Sequence, residues 1–323
     1  MTERLEYVDI AKGFALLLVI WSHSDALNLM WLMMDMCIPI FFFCSGYTYT
    51  KRGSFGSSMA KRFRKLFVPY LFFNVVLFCV FRHLSFRELL GVLYSRYSLY
   101  PLDITPNIKF LTSGNYPMWF LTGMVMSSFL FYIIVYQEKY KHMLITFYAL
   151  LTVAFMNIPI LLPWSIDTAP LIALIMYAGM EARQRRIIMM NFWFVLFLVL
   201  MYLGLRHVGG DLNISVRMYG TSVAIYFILA ILAPIIVLWG AKYLQGTFAG
   251  KFFLILGKNS LIIFCIEIPF IVWAKDIYEW LFPGDVQNYL KGLFEIVVAL
   301  LGGLMVSVLI RKSNFLSRIV YAS

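Results

Sequence analysis

Apolar runs close to 20 residues long recur from one end of this chain to the other, and that recurrence limits its fold more than any single motif does. One soluble core could not bury so many such runs, whereas each is the length of one crossing of a bilayer's hydrocarbon layer. Of the 323 residues, 62% are hydrophobic and only 13% are charged. Lipid offers backbone groups no hydrogen-bond partner, so each crossing must satisfy its own, as a helix does. The expected fold is therefore all-α, a polytopic membrane protein with about ten transmembrane helices. They are expected near residues 8–24, 27–50, 66–82, 116–136, 143–161, 168–182, 190–206, 218–241, 252–274 and 290–310. No internal repeat or low-complexity tract interrupts the series, so residues 1–323 read as a single integral-membrane domain.

Charge placement orients this array. The net charge of +11 invites a nucleic-acid partner, but the cations cluster in alternate loops, as orientation in a bilayer requires. Connections on the side of the N-terminus, above all KRGSFGSSMAKRFRK, hold about twice as many Lys and Arg as those on the other side. Both termini are thus expected in the cytoplasm, the span count is expected to be even, and no nucleic acid is expected as a partner. The start, MTERLEYVDI, carries Glu3, Glu6 and Asp9 and has no small-residue cleavage site, so a retained first helix is expected rather than a signal peptide. Cys37, Cys44, Cys79 and Cys265 lie in apolar runs without ligand spacing and read as small buried hydrophobes; neither a disulfide nor a metal site is expected. On the outer side, residues 83–115 are rich in Tyr, Ser, Asn and Pro and could form a lid or an acceptor platform.

The most unusual span is the first, DIAKGFALLLVIWSHS from Asp9 to Ser24. Eleven residues separate Lys12 from His23, which at ~100° per residue returns both to within about 20° of one face, roughly 16 Å apart along the axis. Polar groups on one stripe of an apolar helix are expensive in lipid and are expected to face an internal cavity. Lys12 is either a partner for Asp9, three residues earlier, or a fixed charge for an anionic ligand. His23 is either a satisfied interior residue or a general base, since a neutral imidazole titrates near the operating pH. Asp35 and Glu267 also stand inside apolar spans, where a carboxylate needs a partner or a polar cavity; His23 and Lys258 are the candidates for Glu267.

Asp-x-x-Lys-Gly…His in the first helix is followed by IPIFFFCSGY closing the second, KRFRKLFVPY opening the third and PMWFLTGM opening the fourth. DTAPLIALIMYAG and GKNSLIIFCIE come later in the same order. Together these stretches resemble the integral-membrane acyltransferase type 3 family over nearly the whole chain, and within it the fucose 4-O-acetylase-like branch. The resemblance implies transfer of an acetyl group from cytosolic acetyl-CoA to a hydroxyl of a surface or exported glycan, or of a lipid-linked sugar, at the bacterial cytoplasmic membrane. It implies His23 as the catalytic residue, with Glu267 beside it where many members have His. Lys12, which stands where many members have Arg, would bind the coenzyme A thioester with Arg64, Lys65 and Ser45. Asp9, Asp35, Tyr47, Trp119, Asp167, Asn259 and Ser260 would line the pocket. The reading from another class is a proton-coupled transporter or glycan exporter that uses His23, Asp35 and Glu267 as proton-coupling groups.

Overall fold

A computed structural model of the chain describes residues 5–26, 35–81, 86–101, 108–110, 116–284 and 288–321. Of the described residues 81% are helical, and the structure is nearly all-α. Its helices are α1 (Glu6–His23), α2 (Cys37–Tyr47), α3 (Phe55–Phe81), α4 (Phe86–Tyr94), α5 (Trp119–Tyr136) and α6 (Lys141–Met156). They continue with α7 (Ala169–Gln184), α8 (Phe192–Gly209), α9 (Val223–Leu244), α10 (Phe248–Leu281), α11 (Asn288–Lys312) and α12 (Asn314–Val320). A two-residue antiparallel pair, β1 (Leu212–Asn213) and β2 (Met218–Tyr219), sets Leu212 opposite Tyr219 in the α8–α9 connection.

Among the described residues, six helices are long and apolar enough to cross a membrane: Phe55–Phe81, Tyr116–Tyr136, Phe192–Gly209, Val223–Leu244, Phe248–Leu281 and Leu290–Lys312. The other expected spans coincide with helices that are shorter or more polar. α1 carries Glu6, Asp9 and Lys12 in its first two turns, α2 has 11 residues, and α6 and α7 have 16 each. Residues 27–34 of the expected second span lie outside the described residues. Apolar side chains exposed on α8, among them Phe192, Trp193, Phe197 and Leu200, have no protein core to enter and suit a lipid-facing surface.

Two element boundaries differ from the sequence expectation. α3 begins at Phe55 rather than near 66, so KRFRK lies on a helix and not in a loop. Ala, Met, Lys and Arg are good helix formers, and their charge disguises that propensity. α10 runs for 34 residues, about 51 Å at ~1.5 Å per residue, longer than the ~30 Å of a bilayer's hydrocarbon layer. Its start is fixed by Thr247, whose side chain accepts the Gly250 N–H at 3.0 Å. In the expected outer connection, α4 and an isolated bridge between Ser98 and Lys109 give the described parts local structure.

The chain folds as two compact units, one of Met1–Phe41 with Ala233–Ser317 and one of Phe42–Leu232 with Arg318–Ser323. In the first unit α1 packs along α10, and α10 along α11. Glycine makes the first approach possible: a Cβ on Gly257 would strike the Asp9 carbonyl, and one on Gly13 the Phe253 carbonyl. In the second unit α3 packs on α5, while α5 and α6 both pack on α7.

Candidate active site

The geometry that bears on chemistry begins at the last residue of α1. His23 Nδ1 lies 2.8 Å from Glu267 Oε1 on α10, so the intramembrane carboxylate has the imidazole, and not Lys258, as its partner. Glu267 is fully buried and the His23 side chain is 22% exposed, so the pair opens outward through the ring. Glu267 Oε2 has no hydrogen-bond partner among the described residues. Leaving half a carboxylate unsatisfied in an apolar interior is expensive, which marks the group as more than packing. In the tautomer whose Nδ1–H donates to Glu267, the ring's lone pair is on Nε2, the nitrogen a general base would use.

Lys12 stands near the other end of the same helix, 25% exposed, with Nζ 3.9 Å from Asp9 Oδ1. Both sequence readings of Lys12 therefore persist: the intrahelical pair is present, at a separation too long for a tight hydrogen bond. Further along α10, Asn259 Oδ1 accepts from Arg311 Nη2 at 2.7 Å and from Ser307 Oγ at 2.5 Å, tying α10 to α11. Ser260 follows on α10, half-buried. Asp35, half-buried, precedes α2. These residues, with His23 and Glu267, belong to the first unit.

The remaining expected site residues belong to the second unit. Ser45 Oγ accepts a short hydrogen bond from Arg62 Nη2, and Arg62 Nε donates to Ser128 Oγ at 3.0 Å. Arg62 is thus the cation of KRFRK that turns inward, whereas Arg64 and Lys65 are exposed on α3. Tyr47 is buried, and its carbonyl accepts from Arg183 Nη1 at 3.3 Å. Trp119 opens α5 buried, with its ring edge-on to Phe120.

Asp167 is the most fully paired of the expected pocket residues. It is wholly buried and receives Arg96 Nη2 at 2.8 and 2.9 Å on its two oxygens, with Arg217 Nε 3.2 Å from Oδ2. Arg96 Nη1 also donates to Ser165 Oγ at 2.9 Å, and Arg217 donates to the carbonyls of Phe155 and Ile158. The turn that delivers Asp167 is strained, with Trp164 and Ser165 at φ 54° and 60°. Burial pulls the Arg96 guanidinium below its ordinary value and the Asp167 carboxylate opposes that shift. Sequence reasoning missed both arginines; the available signal was a carboxylate opening an apolar helix, which requires a cation.

Among the described residues no three His, Cys, Asp or Glu side chains gather as metal ligands. Cys37, Cys44 and Cys265 are buried, Cys79 is exposed, and none of the four is in a disulfide.

An apolar helical array with a part-buried histidine against a buried carboxylate defines an integral membrane protein. The sequence matches the acyltransferase type 3 family, whose model describes an acyltransferase domain, over residues 5–312, and the chain belongs to that family. No protein of curated function matches the sequence.

Proposed function

We propose that this acyltransferase is an O-acetyltransferase of a bacterial cytoplasmic membrane, with about ten spans and both termini in the cytoplasm. It takes acetyl from acetyl-CoA and gives it to a hydroxyl of a surface or exported glycan. The observation that carries this reading is the 2.8 Å contact between His23 Nδ1 and Glu267 Oε1.

Glu267 holds the imidazole by Nδ1, so Nε2 accepts the proton of an acceptor hydroxyl as its oxygen attacks the thioester carbonyl. The carbon–sulfur bond then breaks, and the departing thiolate takes the proton back from Nε2, leaving ester, coenzyme A thiol and neutral imidazole. Through that cycle the buried carboxylate stabilises the imidazolium that forms, as the carboxylate of a hydrolase triad does. Lys12 supplies a point charge for a donor phosphate.

Donor titration by calorimetry, paired with single-turnover acetyl transfer, tests these roles separately. His23→Ala should slow the chemical step by ~10²–10⁴-fold and leave donor affinity unchanged. Lys12→Ala should weaken donor binding by about ten- to a hundredfold, since a hydrogen bond to a charged group contributes roughly 1.5–3 kcal/mol. Lys12→Arg should restore part of it. Loss of donor binding in His23→Ala, or intact binding in Lys12→Ala, would refute the assignment of roles. Gradient-dependent flux without acetyl transfer would identify the transporter instead.

A further inference from the structure

His23 is the last helical residue of α1. Ser24 is already extended, at φ −93° and ψ 164°. Its N–H and its hydroxyl both take the Trp21 carbonyl, at 3.3 and 2.9 Å, so that acceptor is spent before Asp25 is reached. The Asp25 N–H donates instead to Glu295 Oε2 on α11, at 2.7 Å. Glu295 is 1% exposed, an acidic side chain buried in an apolar helix where packing alone would favour leucine. One turn earlier on α11 stands Gly292, where an added Cβ would collide with the backbone of Asp25 and Ala26. α11 thus offers the segment leaving α1 a notch to enter and a carboxylate to hold it.

The Asp25 side chain is gripped separately. Lys275 Nζ lies 2.9 Å and Lys291 Nζ 3.3 Å from Oδ2, but Asp25 and Lys275 are 40% and 45% exposed. Solvent screens those pairs, whereas the Glu295 bond is part-buried and its acceptor side chain is 1% exposed. Two residues before Asp25, Glu267 holds the imidazole itself. The end of α1 is therefore pinned by two buried carboxylates, one on the ring and one on the backbone just beyond it.

We propose that Glu295 is a positioning residue for His23, fixing the exit of α1 and with it the direction of the imidazole against Glu267. The inference rests on the reading of His23 as the base. Glu295 touches no reacting atom. Its loss should therefore appear in the chemical step and not in donor capture, because a small misplacement of a catalytic group is penalised steeply.

The test uses the full-length protein in detergent, radiolabelled acetyl-CoA, and the lipid and polysaccharide extract of the source cell's envelope as acceptor. Glu295→Ala should lower kcat on the order of 10–100-fold with donor KM unchanged. Glu295→Gln keeps an oxygen to accept the Asp25 N–H and should restore most of the rate. Parental kcat in Glu295→Ala, or equal damage in Glu295→Gln, overturns the proposal. Glu295→Leu, close in volume but without an acceptor, replaces the alanine variant should that one fail to fold. Collapse of both apolar variants beside a Glu295→Gln protein with parental melting would assign Glu295 to stability alone and also overturns it. His23→Ala is run in parallel. Parental activity there sinks the catalytic reading itself, while an inactive His23→Ala beside a fully active Glu295→Ala sinks the positioning role only.

Discussion

Replacing Asp167 by alanine would remove the carboxylate that two buried arginines share, and the structure sets the size of the effect. The Arg96 and Arg217 side chains are 0% and 4% exposed, so neither guanidinium can turn to solvent when its partner goes. The substitution deletes two Arg96 hydrogen bonds, the Arg217 contact and the 3.3 Å bond from the Leu162 N–H. Breaking a buried pair from one side costs about 3–5 kcal/mol, most of it the penalty of the stranded charge. Asp25→Ala is the internal control, because its pair with Lys275 is 40% and 45% exposed and such pairs contribute ~0–1 kcal/mol. Unfolding of the purified protein in mixed micelles, followed by circular dichroism as the denaturing detergent is raised, measures both variants. Asp167→Asn should fall between them, since its amide keeps one acceptor oxygen. A combined Arg96→Met, Asp167→Leu, Arg217→Met variant should lose less than Asp167→Ala alone, because no charge is left behind. If Asp167→Ala unfolds within ~1 kcal/mol of the parent, the buried-triad argument is wrong. If folded Asp167→Asn has lost its transferase activity, Asp167 belongs to the pocket after all.

Gly257→Val would press side-chain carbons against the Asp9 carbonyl, and overpacking of that kind costs about 1–3 kcal/mol. Separation of α1 from α10 should also lower acetyl transfer, so yield and activity should fall together. Glu267→Gln keeps shape but not charge; it should express like the parent and lose much of its rate, and a fully active variant would make Glu267 a bystander. The Lys275 hydrogen bond, helped by the Coulomb attraction of Lys275 and by Lys291 and opposed by desolvation, holds Asp25 below its ordinary value of 3.8. Its stabilising contribution is therefore complete above pH 3.8 and fades as pH falls through the lower folded value, and Asp25→Asn should flatten that part of a pH–melting curve. Reporter fusions after Arg64, Lys139 and Arg185 should read cytoplasmic and those after Asp211 external; an external signal at Arg64 would overturn the orientation.

Helices were legible because hydropathy along a chain is a local property, and each expected span meets a helix wherever residues are described. The charged entrance to α3 was not, since KRFRK looks like a solvated turn until the residues around it are seen to wind. Of the candidate site, the partner of Glu267 was narrowed in advance to His23 or Lys258 by the expense of a lone carboxylate in lipid, and the contact selects His23. Arg96 and Arg217 escaped because they sit in polar connections, where an arginine is ordinarily wet and nothing nearby in sequence signals burial. Glu295 escaped for a different reason: its partner is a backbone N–H, which every residue except proline possesses and no pattern can single out.

The pairing of α1 with α10 also sets an order of events during synthesis. His23 emerges from the ribosome 244 residues before Glu267, which at ~5–20 residues per second is a wait of roughly 12–50 s. Through that interval the first helix carries an aspartate, a lysine and a histidine with neither α10 nor α11 yet made. The Asp9–Lys12 pair, three residues apart on one helix, is available from the start and lessens the burden of those charges while the helix waits. A nascent chain stopped before Phe248 should therefore hold its first helix loosely, open to extraction from the bilayer, and one released after Lys312 should not.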